Sequence, residues 1–334
     1  MKLPLLVRVA LWPLSVIYGA YVRMRAQLYE RGWLKQRQLR GKVISVGNLT
    51  VGGTGKTPMV LWLAEKLLAE GKRVAILSRG YKGAGGTSDE IELMKHRLQD
   101  RVKFGVGKNR FAEGQRIEAE QPVDIFLLDD GFQHLPLARD VDIVLIDALR
   151  PPHRSLLLPA GSLREPFSAI GRADLLVFTR TDNRPVAAEA VGELDAYPVF
   201  AATTRLLGFR LRDKDALLQS QEMGHGPFFA FCGIGNPQAF FDDLSRWNVP
   251  VAGQSIFRDH HPYKAADLRR LERAAQSAGA IAFVTTEKDA ENLRGMDAPA
   301  IPIFIAVIDF VLSHESEFLA VLEQTLQVSR GASA

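Results

Sequence analysis

The length and composition of the chain are those of an ordinary globular protein of about two domains. It has 334 residues, of which 47% are hydrophobic and 24% are charged, and a domain holds roughly 150 residues. This balance excludes a disordered, collagen-like or coiled-coil chain. The single cysteine, Cys232, cannot form an internal disulfide, so a disulfide-stapled secreted module and a metal site built from several thiolates are also excluded.

The net charge of +4 is unevenly distributed along the chain. Residues 1–42 carry nine lysines and arginines against one acid, Glu30, a balance of +8 that leaves −4 for the rest of the chain. Because the body of the protein is mildly acidic, we do not expect a nucleic-acid partner.

An apolar segment occupies the N-terminus. Between Leu3 and Val22 the one charged residue is Arg8, and Arg23 and Arg25 follow directly. Such a segment can span a bilayer core of about 30 Å, or it can lie at the interface with its aromatic residues at headgroup level. We therefore expect contact with a membrane surface, with the body of the protein on the cytoplasmic side. The alternative is a helix buried against the protein's own core, and a cleaved signal peptide is disfavoured because no small-x-small site precedes Arg23.

Apolar strand-like segments alternate with helix-like segments from Lys42 onward. Lys42–Val46, Thr57–Ala69 and Arg73–Leu77 predict a strand, a helix and a strand, which form a βαβ unit. Further strands are predicted at Ile125–Leu128, Ile143–Ile146 and Leu175–Phe178. Strands that are apolar along their whole length are covered on both faces, so they predict a mostly parallel sheet in a three-layer α/β/α domain.

A second, smaller α/β region follows the first. Its predicted strands are Phe228–Phe231, Ala282–Thr285 and Ile303–Val307, and its predicted helices are Gln238–Trp247 and Ala265–Ser277. The domain prediction has five parts: N-terminal anchor helices at 1–40, the larger α/β domain at 41–198, linker strands at 199–225, the smaller domain at 226–310, and a C-terminal helix at 311–334 that packs back on the larger domain.

A glycine-rich loop lies between the first predicted strand and the first predicted helix. It reads GNLTVGGTGKTP over 47–58 and contains Gly52, Gly53, Thr54 and Gly55. These residues let successive N–H groups point at phosphate oxygens beside a helix N-terminus. Lys56 then reaches the β- and γ-phosphates and Thr57 ligates Mg²⁺. The first glycine of the usual spacing is replaced by Thr50, and the alternative is a glycine-rich turn with a surface lysine.

An acidic pair, Asp129-Asp130, follows the predicted strand Ile125–Leu128. A carboxylate at the C-terminal end of a strand beside a phosphate loop holds or orients Mg²⁺. The alternative for two adjacent aspartates is a solvated loop or a helix cap.

Five motifs in this order resemble the tetraacyldisaccharide 4'-kinase family, the lipid A 4'-kinases. They are GNLTVGGTGKTP at 47–58, LLDDGFQH at 127–134 followed by LARDVD, LLPAG at 157–161 leading to LREP at 163–166, DHHPY at 259–263 and TTEKD at 285–289. The resemblance extends from the N-terminal anchor to about residue 295. It implies a P-loop NTPase-type fold, and transfer of the γ-phosphate of ATP, with Mg²⁺, to the 4'-hydroxyl of a tetraacylated glucosamine disaccharide 1-phosphate. It also implies a glycolipid substrate and action at the cytoplasmic face of the bacterial inner membrane, and we expect a monomer.

The resemblance assigns a catalytic role to Asp89, which follows Thr87 and Ser88. Asp89 matches an acid that accepts the proton of the sugar hydroxyl. Its alternative is the N-cap of a helix that starts at Glu90, because Ser and Asp are preferred capping residues. His260, beside Asp259, matches a residue that orients or polarises the catalytic acid. A His-His pair could instead indicate a metal site, but no further His or Cys stands at ligand spacing.

Other matched positions surround the nucleotide. Asp129 and Glu165 match acids on the metal side, together with Thr57, whereas Asp130 and His134 match a pair that fixes the loop. Arg110 and Arg164 match basic positions that neutralise phosphate charge. The alternative for each arginine is a surface ion pair of about 0–1 kcal/mol.

Two hypotheses from other functional classes stay open at this point. A membrane-bound regulatory ATPase of the partition type also has a GGTGKT loop, but such proteins carry a lysine before the double glycine, where this chain has Val51. The other is a nucleotide-binding scaffold without turnover. The kinase differs from both because its ATP consumption depends on a glycolipid acceptor.

Overall fold

A computed structural model of the chain describes residues 4–80, 88–152, 155–181, 194, 196–214, 216–224 and 226–331. The chain divides into two compact units. Unit 1 contains Met1–Arg79, Leu98–Thr203 and Phe310–Ala334, and unit 2 contains Gly80–Arg97 and Thr204–Asp309. The segment 80–97, which the predicted ranges placed in the larger domain, thus lies in unit 2. Residues 81–87 and 153–154 fall outside the described residues.

Strands and helices alternate through most of the described chain. The strands are β1 (Lys42–Asn48), β2 (Val74–Ser78), β3 (Lys103–Val106), β4 (Ile125–Asp129), β5 (Val141–Asp147), β6 (Leu175–Thr179), β7 (Val199–Leu211), β8 (Leu217–Leu218), β9 (Phe228–Cys232), β10 (Val251–Ile256), β11 (Ala282–Thr286) and β12 (Ile303–Leu312). The helices are α1 (Leu5–Glu30), α2 (Lys56–Ala69), α3 (Asp89–Leu98), α4 (Arg110–Glu120), α5 (Pro237–Arg246), α6 (Ala265–Ser277), α7 (Glu287–Asn292) and α8 (Glu315–Gly331).

Unit 1 is built on a parallel sheet with the strand order β7-β6-β5-β1-β4-β2-β3. Every residue of β2, β4, β5 and β6 is buried, as their continuous apolar runs predict. Helix α2 packs on β1, β2 and β4, α4 packs on β2 and β3, and α8 packs on β5. The predicted α/β class with a mostly parallel sheet is confirmed.

Helix α1 packs on unit 1 along one narrow face. Ser15 and Gly19 are its buried residues. The Ser15 hydroxyl donates to the Leu157 carbonyl and accepts from the Ala160 N–H, both at 3.0 Å. The helix exposes eight large apolar side chains in its first half: Leu5, Leu6, Val7, Val9, Trp12, Leu14, Val16 and Ile17. The helix is long and apolar enough to cross a membrane. Because most of its residues are not buried, the alternative of a helix buried against the protein's own core is not supported.

Helix α8 returns the end of the chain to unit 1. The fully buried ring of Phe318 makes edge contacts with Trp62 on α2, at 5.6 Å between ring centroids, and with Phe200 on β7, at 5.1 Å. Lys66 and Glu315 add an ion pair of 2.5 Å. Aromatic packing on both a helix and a strand fixes this helix in the core of unit 1.

Unit 2 has the strand order β10-β9-β11-β12-β7, with β8 antiparallel to β7. Two buried apolar clusters, rich in phenylalanine, pack around these strands together with residues of α5 and α6. The sequence did not predict β10, because it contains Gly253 and most of its residues are exposed. It did not predict α7 either, because six residues are too few to show a helical period.

Candidate active site

The glycine-rich loop of unit 1 joins the end of β1 to the start of α2. Gly52 and Gly55 have φ values of +113° and +85°, which glycine adopts without the steric cost that a Cβ brings. Gly55 is the N-cap residue of α2, and no side chain caps this end of the helix in the described part of the chain. The first-turn N–H groups of α2 can therefore bind an anion, and the helix dipole favours negative charge there.

Asn48, at the end of β1, holds the lysine of this loop. Its side-chain oxygen accepts a hydrogen bond from Lys56 Nζ at 3.4 Å, and its Nδ2 donates to the Thr54 hydroxyl at 2.9 Å. Lys56 Nζ also lies 3.5 Å from Asp130 Oδ1. Thr57 is buried in the first turn of α2. Sequence reasoning missed Asn48, although it falls within the motif, because nothing in the spacing shows where its side chain points.

The end of β6 braces the loop from the other side. The Thr179 hydroxyl donates to the Thr54 carbonyl at 3.1 Å. The Arg180 guanidinium donates to the Gly53 carbonyl at 2.6 Å and to Asp147 Oδ2 at 3.0 Å. These residues were also missed, since β6 lies more than a hundred positions from the loop. The two hydrogen bonds to the loop engage the carbonyls of Thr54 and Gly53, so they do not compete with a phosphate for the N–H groups of these residues.

Asp129 lies at the end of β4, in register with Val46, two residues before the end of β1. Ser78, the last residue of β2, donates its hydroxyl to Asp129 Oδ2 at 3.1 Å. The buried Arg110 donates to the Asp129 carbonyl at 3.3 Å. Burial lowers the pKa of Arg110, although the charges of Asp129 and Asp130 oppose that shift. The sheet thus places Asp129 and a buried guanidinium at the strand ends that carry the loop.

Asp130 is bound by Arg164 instead of His134. Arg164 Nη1 donates to both carboxylate oxygens of Asp130, at 2.8 and 2.7 Å. Burial raises the pKa of Asp130, but the charges of Lys56 and Arg164 outweigh it, so that its pKa falls below the usual value. No hydrogen bond joins Asp130 to His134 in the described structure. Burial, followed by the charge of Arg110, lowers the pKa of His134 to about 4, which makes its imidazole neutral at pH 7.

Glu165 forms a buried ion pair with Arg172. The guanidinium donates to Glu165 Oε2 at 2.6 Å and stacks on the ring of Phe132 at 4.5 Å. Burial raises the pKa of Glu165, and the charge of Arg172 opposes the shift. The described residues include no group of three or more His, Cys, Asp or Glu side chains that could hold a metal ion. Three residues were predicted as metal ligands. Thr57 lies in the first turn of α2 and Asp129 at the end of β4. Glu165 is instead paired with Arg172.

The other predicted catalytic residues meet in unit 2. Asp89 is the first residue of α3, and Ser88 caps this helix by accepting a hydrogen bond from the Ile91 N–H at 3.3 Å. The Asp89 carboxylate contacts His260, with 2.7 Å between Oδ1 and Nδ1, and the same oxygen accepts from the Glu90 N–H at 2.9 Å. The side chain of Asp89 is 2% exposed and that of His260 is 37% exposed. Ser88 therefore makes the N-cap hydrogen bond of α3, and the Asp89 carboxylate has a partner beyond this helix.

Lys288 lies among three carboxylates beside this pair. Its Nζ donates to Asp259 Oδ1 at 3.0 Å and lies 3.5 Å from Glu90 Oε1 and 4.0 Å from Asp89 Oδ2. Burial raises the pKa of Asp89, but the hydrogen bond from His260 and the charge of Lys288 bring it below its usual value. The hydrogen bond with Asp89 raises the pKa of His260, against its burial. The two shifts favour a carboxylate paired with an imidazolium.

The neighbouring histidine has a different partner. His261 Nε2 lies 3.1 Å from Asp267 Oδ2 at the start of α6, and its ring packs on Phe257 at 4.6 Å. His260 and His261 therefore bind two separate carboxylates. This arrangement gives no support to a metal site formed by the His-His pair.

The chain is similar to members of one enzyme family over nearly its whole length. A sequence model of the tetraacyldisaccharide-1-P 4'-kinase family matches residues 7–327. Tetraacyldisaccharide 4'-kinase of Geobacter metallireducens is 37% identical over 94% of this chain and 96% of its own length, and that of Pelobacter propionicus is 36% identical over 94% and 91%. The crystal structure of LpxK from Aquifex aeolicus in complex with ATP covers 96% of this chain and 99% of its own, with a TM-score of 0.76 and 30% identity.

Proposed function

The chain belongs to the tetraacyldisaccharide-1-P 4'-kinase family, and on that premise we propose how its two units share the reaction. It is an enzyme, a kinase that phosphorylates the 4'-hydroxyl of a tetraacyldisaccharide 1-phosphate in lipid A biosynthesis. The resemblance stated from its motifs is confirmed, and the partition-type ATPase is not favoured. In our proposal unit 1 binds the phosphoryl donor and unit 2 supplies the base.

The donor is ATP, as in the complex of the Aquifex relative. The uncapped N-terminus of α2 and the positive-φ glycines support a phosphate cradle, and Lys56 supplies a cation at its edge. Asn48 keeps that ammonium in place, and Thr179 and Arg180 hold the loop carbonyls away from the phosphates. These residues fit a nucleoside triphosphate. The N–H groups of the first turn of α2 and the Lys56 ammonium lie at the same helix end, and no side chain caps that end in the described part of the chain.

Thr57 and Asp129 would hold Mg²⁺. Their hydroxyl and carboxylate oxygens are the kind of ligand that this ion prefers. When bound, Mg²⁺ neutralises charge on the transferred phosphoryl group. Ser78 orients the Asp129 carboxylate. Arg110, buried against Asp129, adds a positive charge, whereas the charge of Arg164 is compensated by Asp130, so we assign to Arg164 the placement of that loop.

Asp89 accepts the proton of the 4'-hydroxyl. As the sugar oxygen forms its bond to the γ-phosphorus, the bond from that phosphorus to the β–γ bridging oxygen breaks, and the products are the 4'-phosphate and ADP. The hydroxyl proton moves to the carboxylate, and His260 stabilises the charged form of Asp89 before the transfer. The depressed pKa of Asp89 keeps it ionised at neutral pH, which a proton acceptor requires.

Helix α1 is proposed to bind the cytoplasmic face of the inner membrane. Its exposed apolar side chains and the basic residues that follow them support insertion beside anionic lipid. The acceptor carries four acyl chains, so it resides in the same membrane. The hydrogen bonds of α1 to the carbonyls of Leu157 and Arg164 support an anchor on unit 1, the unit to which we assign the donor.

The pairing of the buried Asp89 carboxylate with His260 is the observation that carries this proposal. A kinase needs a base for its acceptor hydroxyl, whereas a regulatory ATPase has no such acceptor. The test is ADP release with and without tetraacyldisaccharide 1-phosphate in detergent micelles. We expect release that depends on the lipid. Release at the same rate without lipid would contradict the proposed acceptor.

A further inference from the structure

Helix α7 presents two side chains to Asp89. Lys288 and Asn292 are four residues apart, so they lie on the same face of this short helix. Asn292 Nδ2 donates a hydrogen bond to Asp89 Oδ2 at 2.9 Å, and Lys288 Nζ lies 4.0 Å from the same oxygen. The family motifs include the lysine and stop before the asparagine. The function described so far leaves Asn292 without a role.

The hydrogen bonds of Asp89 occupy its two oxygens unequally. An ionised carboxylate has about four acceptor positions and no donor, so the proton between Asp89 and His260 belongs to His260 Nδ1. Oδ1 accepts from His260 at 2.7 Å and from the Glu90 N–H at 2.9 Å. Oδ2 accepts a single hydrogen bond from the described residues, the one from Asn292. The open acceptor position of the carboxylate is therefore on Oδ2.

We infer that Asn292 is a positioning residue for the base: its amide fixes the rotation of the Asp89 carboxylate so that the open position of Oδ2 faces the sugar hydroxyl. The inference rests on the proposed role of Asp89. A neutral amide suits this task, because it orients the acceptor oxygen with a weaker hydrogen bond than a charged donor would make. The oxygen thus keeps most of its affinity for a proton.

Helix α7 is itself held firmly, which gives the amide a fixed origin. Its N-cap residue, Thr286, accepts a hydrogen bond from the Asp289 N–H. Glu287 accepts two hydrogen bonds from Arg97, each 2.8 Å, near the far end of α3. The buried Asp289 accepts from the Tyr263 hydroxyl at 2.8 Å. Two sets of hydrogen bonds therefore join α3 to α7. Arg97 binds Glu287 at one end of the helix pair, and Asn292 binds Asp89 at the other.

The first test replaces Asn292 with leucine, which has a similar volume and no donor. Because misplacement of a catalytic group by about 1 Å can cost about 100-fold in rate, we expect kcat for lipid phosphorylation to fall by about 10- to 100-fold, with KM for ATP unchanged. Gln276→Leu is the matched control, since it removes an amide from an exposed position of α6 in the same unit. Wild-type kcat in Asn292→Leu would overturn the inference.

The second test, Asn292→Asp, has a readout that a merely structural role would not move. A second carboxylate beside Asp89 raises the pKa at which the first proton binds. His260 and Lys288 face Asp89, and Glu90 and Asp259 face Lys288; all four stay in place. We therefore expect the acid limb of the kcat profile to move to higher pH than in wild type. An unmoved acid limb would count against the inference.

The third test does not depend on activity. In the full-length protein in detergent, the side-chain ¹⁵N–¹H resonances of Asn292, assigned by their loss in Asn292→Leu, should shift in Asp89→Ala. Failure of the proposed function would appear as wild-type protein that phosphorylates no lipid while these resonances still shift. Resonances that do not respond to Asp89→Ala would show that the amide does not bind the carboxylate, and the inference would be wrong.

Discussion

His260 Nδ1 lies 2.7 Å from Asp89 Oδ1, although 171 positions separate the two residues in the chain. The contact forms because the segment 80–97, which includes the start of α3, belongs to unit 2 with His260. The hydrogen bond shifts the pKa of the histidine upward, and Asp89 has a pKa below its usual value. The base proposed for the sugar hydroxyl is therefore held as a carboxylate in an ion pair.

This ion pair predicts the pKa of His260 in a variant. In wild type, the hydrogen bond with Asp89 raises the pKa of His260 above 6.5, so the imidazolium persists to higher pH than in a free histidine. In Asp89→Asn the carboxylate charge is lost while burial and the Lys288 charge stay, and both lower the pKa of His260. Asp259 still raises the pKa of His260 in this variant, so we expect a pKa lower than that of wild type, measured by NMR titration of the imidazole. An unchanged pKa would show that Asp89 does not bind the ring in solution.

Asp129 and Ser78 predict a graded loss of metal binding. Asp129→Asn removes the proposed carboxylate ligand, so we expect turnover to fall by at least about 100-fold and the Mg²⁺ concentration for half-maximal activity to rise. Ser78→Ala removes a hydrogen bond to that ligand, and a partner of this kind is worth about 10- to 100-fold in metal affinity. Asp297→Asn, at an exposed position, is the control. Equal Mg²⁺ requirements in all three variants would contradict the assignment.

The C-terminal helix predicts a stability effect in unit 1. Phe318 is fully buried between Trp62 and Phe200. Its replacement by alanine leaves a cavity, so we expect the free energy of unfolding to fall by about 3–5 kcal/mol. Val328→Ala, on an exposed face of α8, should change it little. Urea unfolding measures both variants, and a loss below about 1 kcal/mol for Phe318→Ala would show that α8 packs loosely.

Helix α1 predicts the strength of membrane binding. Leu6 and Ile17 are exposed apolar side chains, 84% and 66% exposed. Because burial of such a side chain is worth about 1.5–3 kcal/mol, the double variant Leu6→Gln, Ile17→Gln should bind anionic vesicles at least about tenfold more weakly. Val328→Gln is the matched control on another helix. Sedimentation with vesicles gives the answer, and undiminished binding of the double variant would place the membrane contact elsewhere.

The features predicted best from the sequence are those that depend on residues close together in the chain. The boundaries of β1, β2, β4, β5 and β6 were predicted within two residues, and the loop from β1 to α2 was predicted too, because continuous apolar runs and glycine spacing are local signals. Asp129 followed from its position at the end of such a run. The stretch predicted as linker strands holds the long strand β7, whose mixed burial conceals its place in the sheet.

Tertiary contacts of the site could not be predicted in the same way. Asn48, Ser78 and Thr179 act through side-chain directions at strand ends, which only the order of the strands brings together. Arg164 takes the place beside Asp130 that the resemblance gave to His134, and the choice depends on burial, since a desolvated imidazole is a poor cation. Asn292 lies on a helix too short to leave a pattern.

The most direct measurement is phosphate transfer from γ-labelled ATP to tetraacyldisaccharide 1-phosphate in micelles, with Mg²⁺ present or chelated, for wild type and Asp89→Asn. General-base loss costs about 10²- to 10⁴-fold. We expect Mg²⁺-dependent labelling of the lipid in wild type and labelling reduced by that factor in Asp89→Asn, with ATP affinity unchanged by calorimetry. Labelling of the lipid by Asp89→Asn at the wild-type rate would contradict the assignment of the base, and ATP hydrolysis without labelled lipid would contradict the kinase.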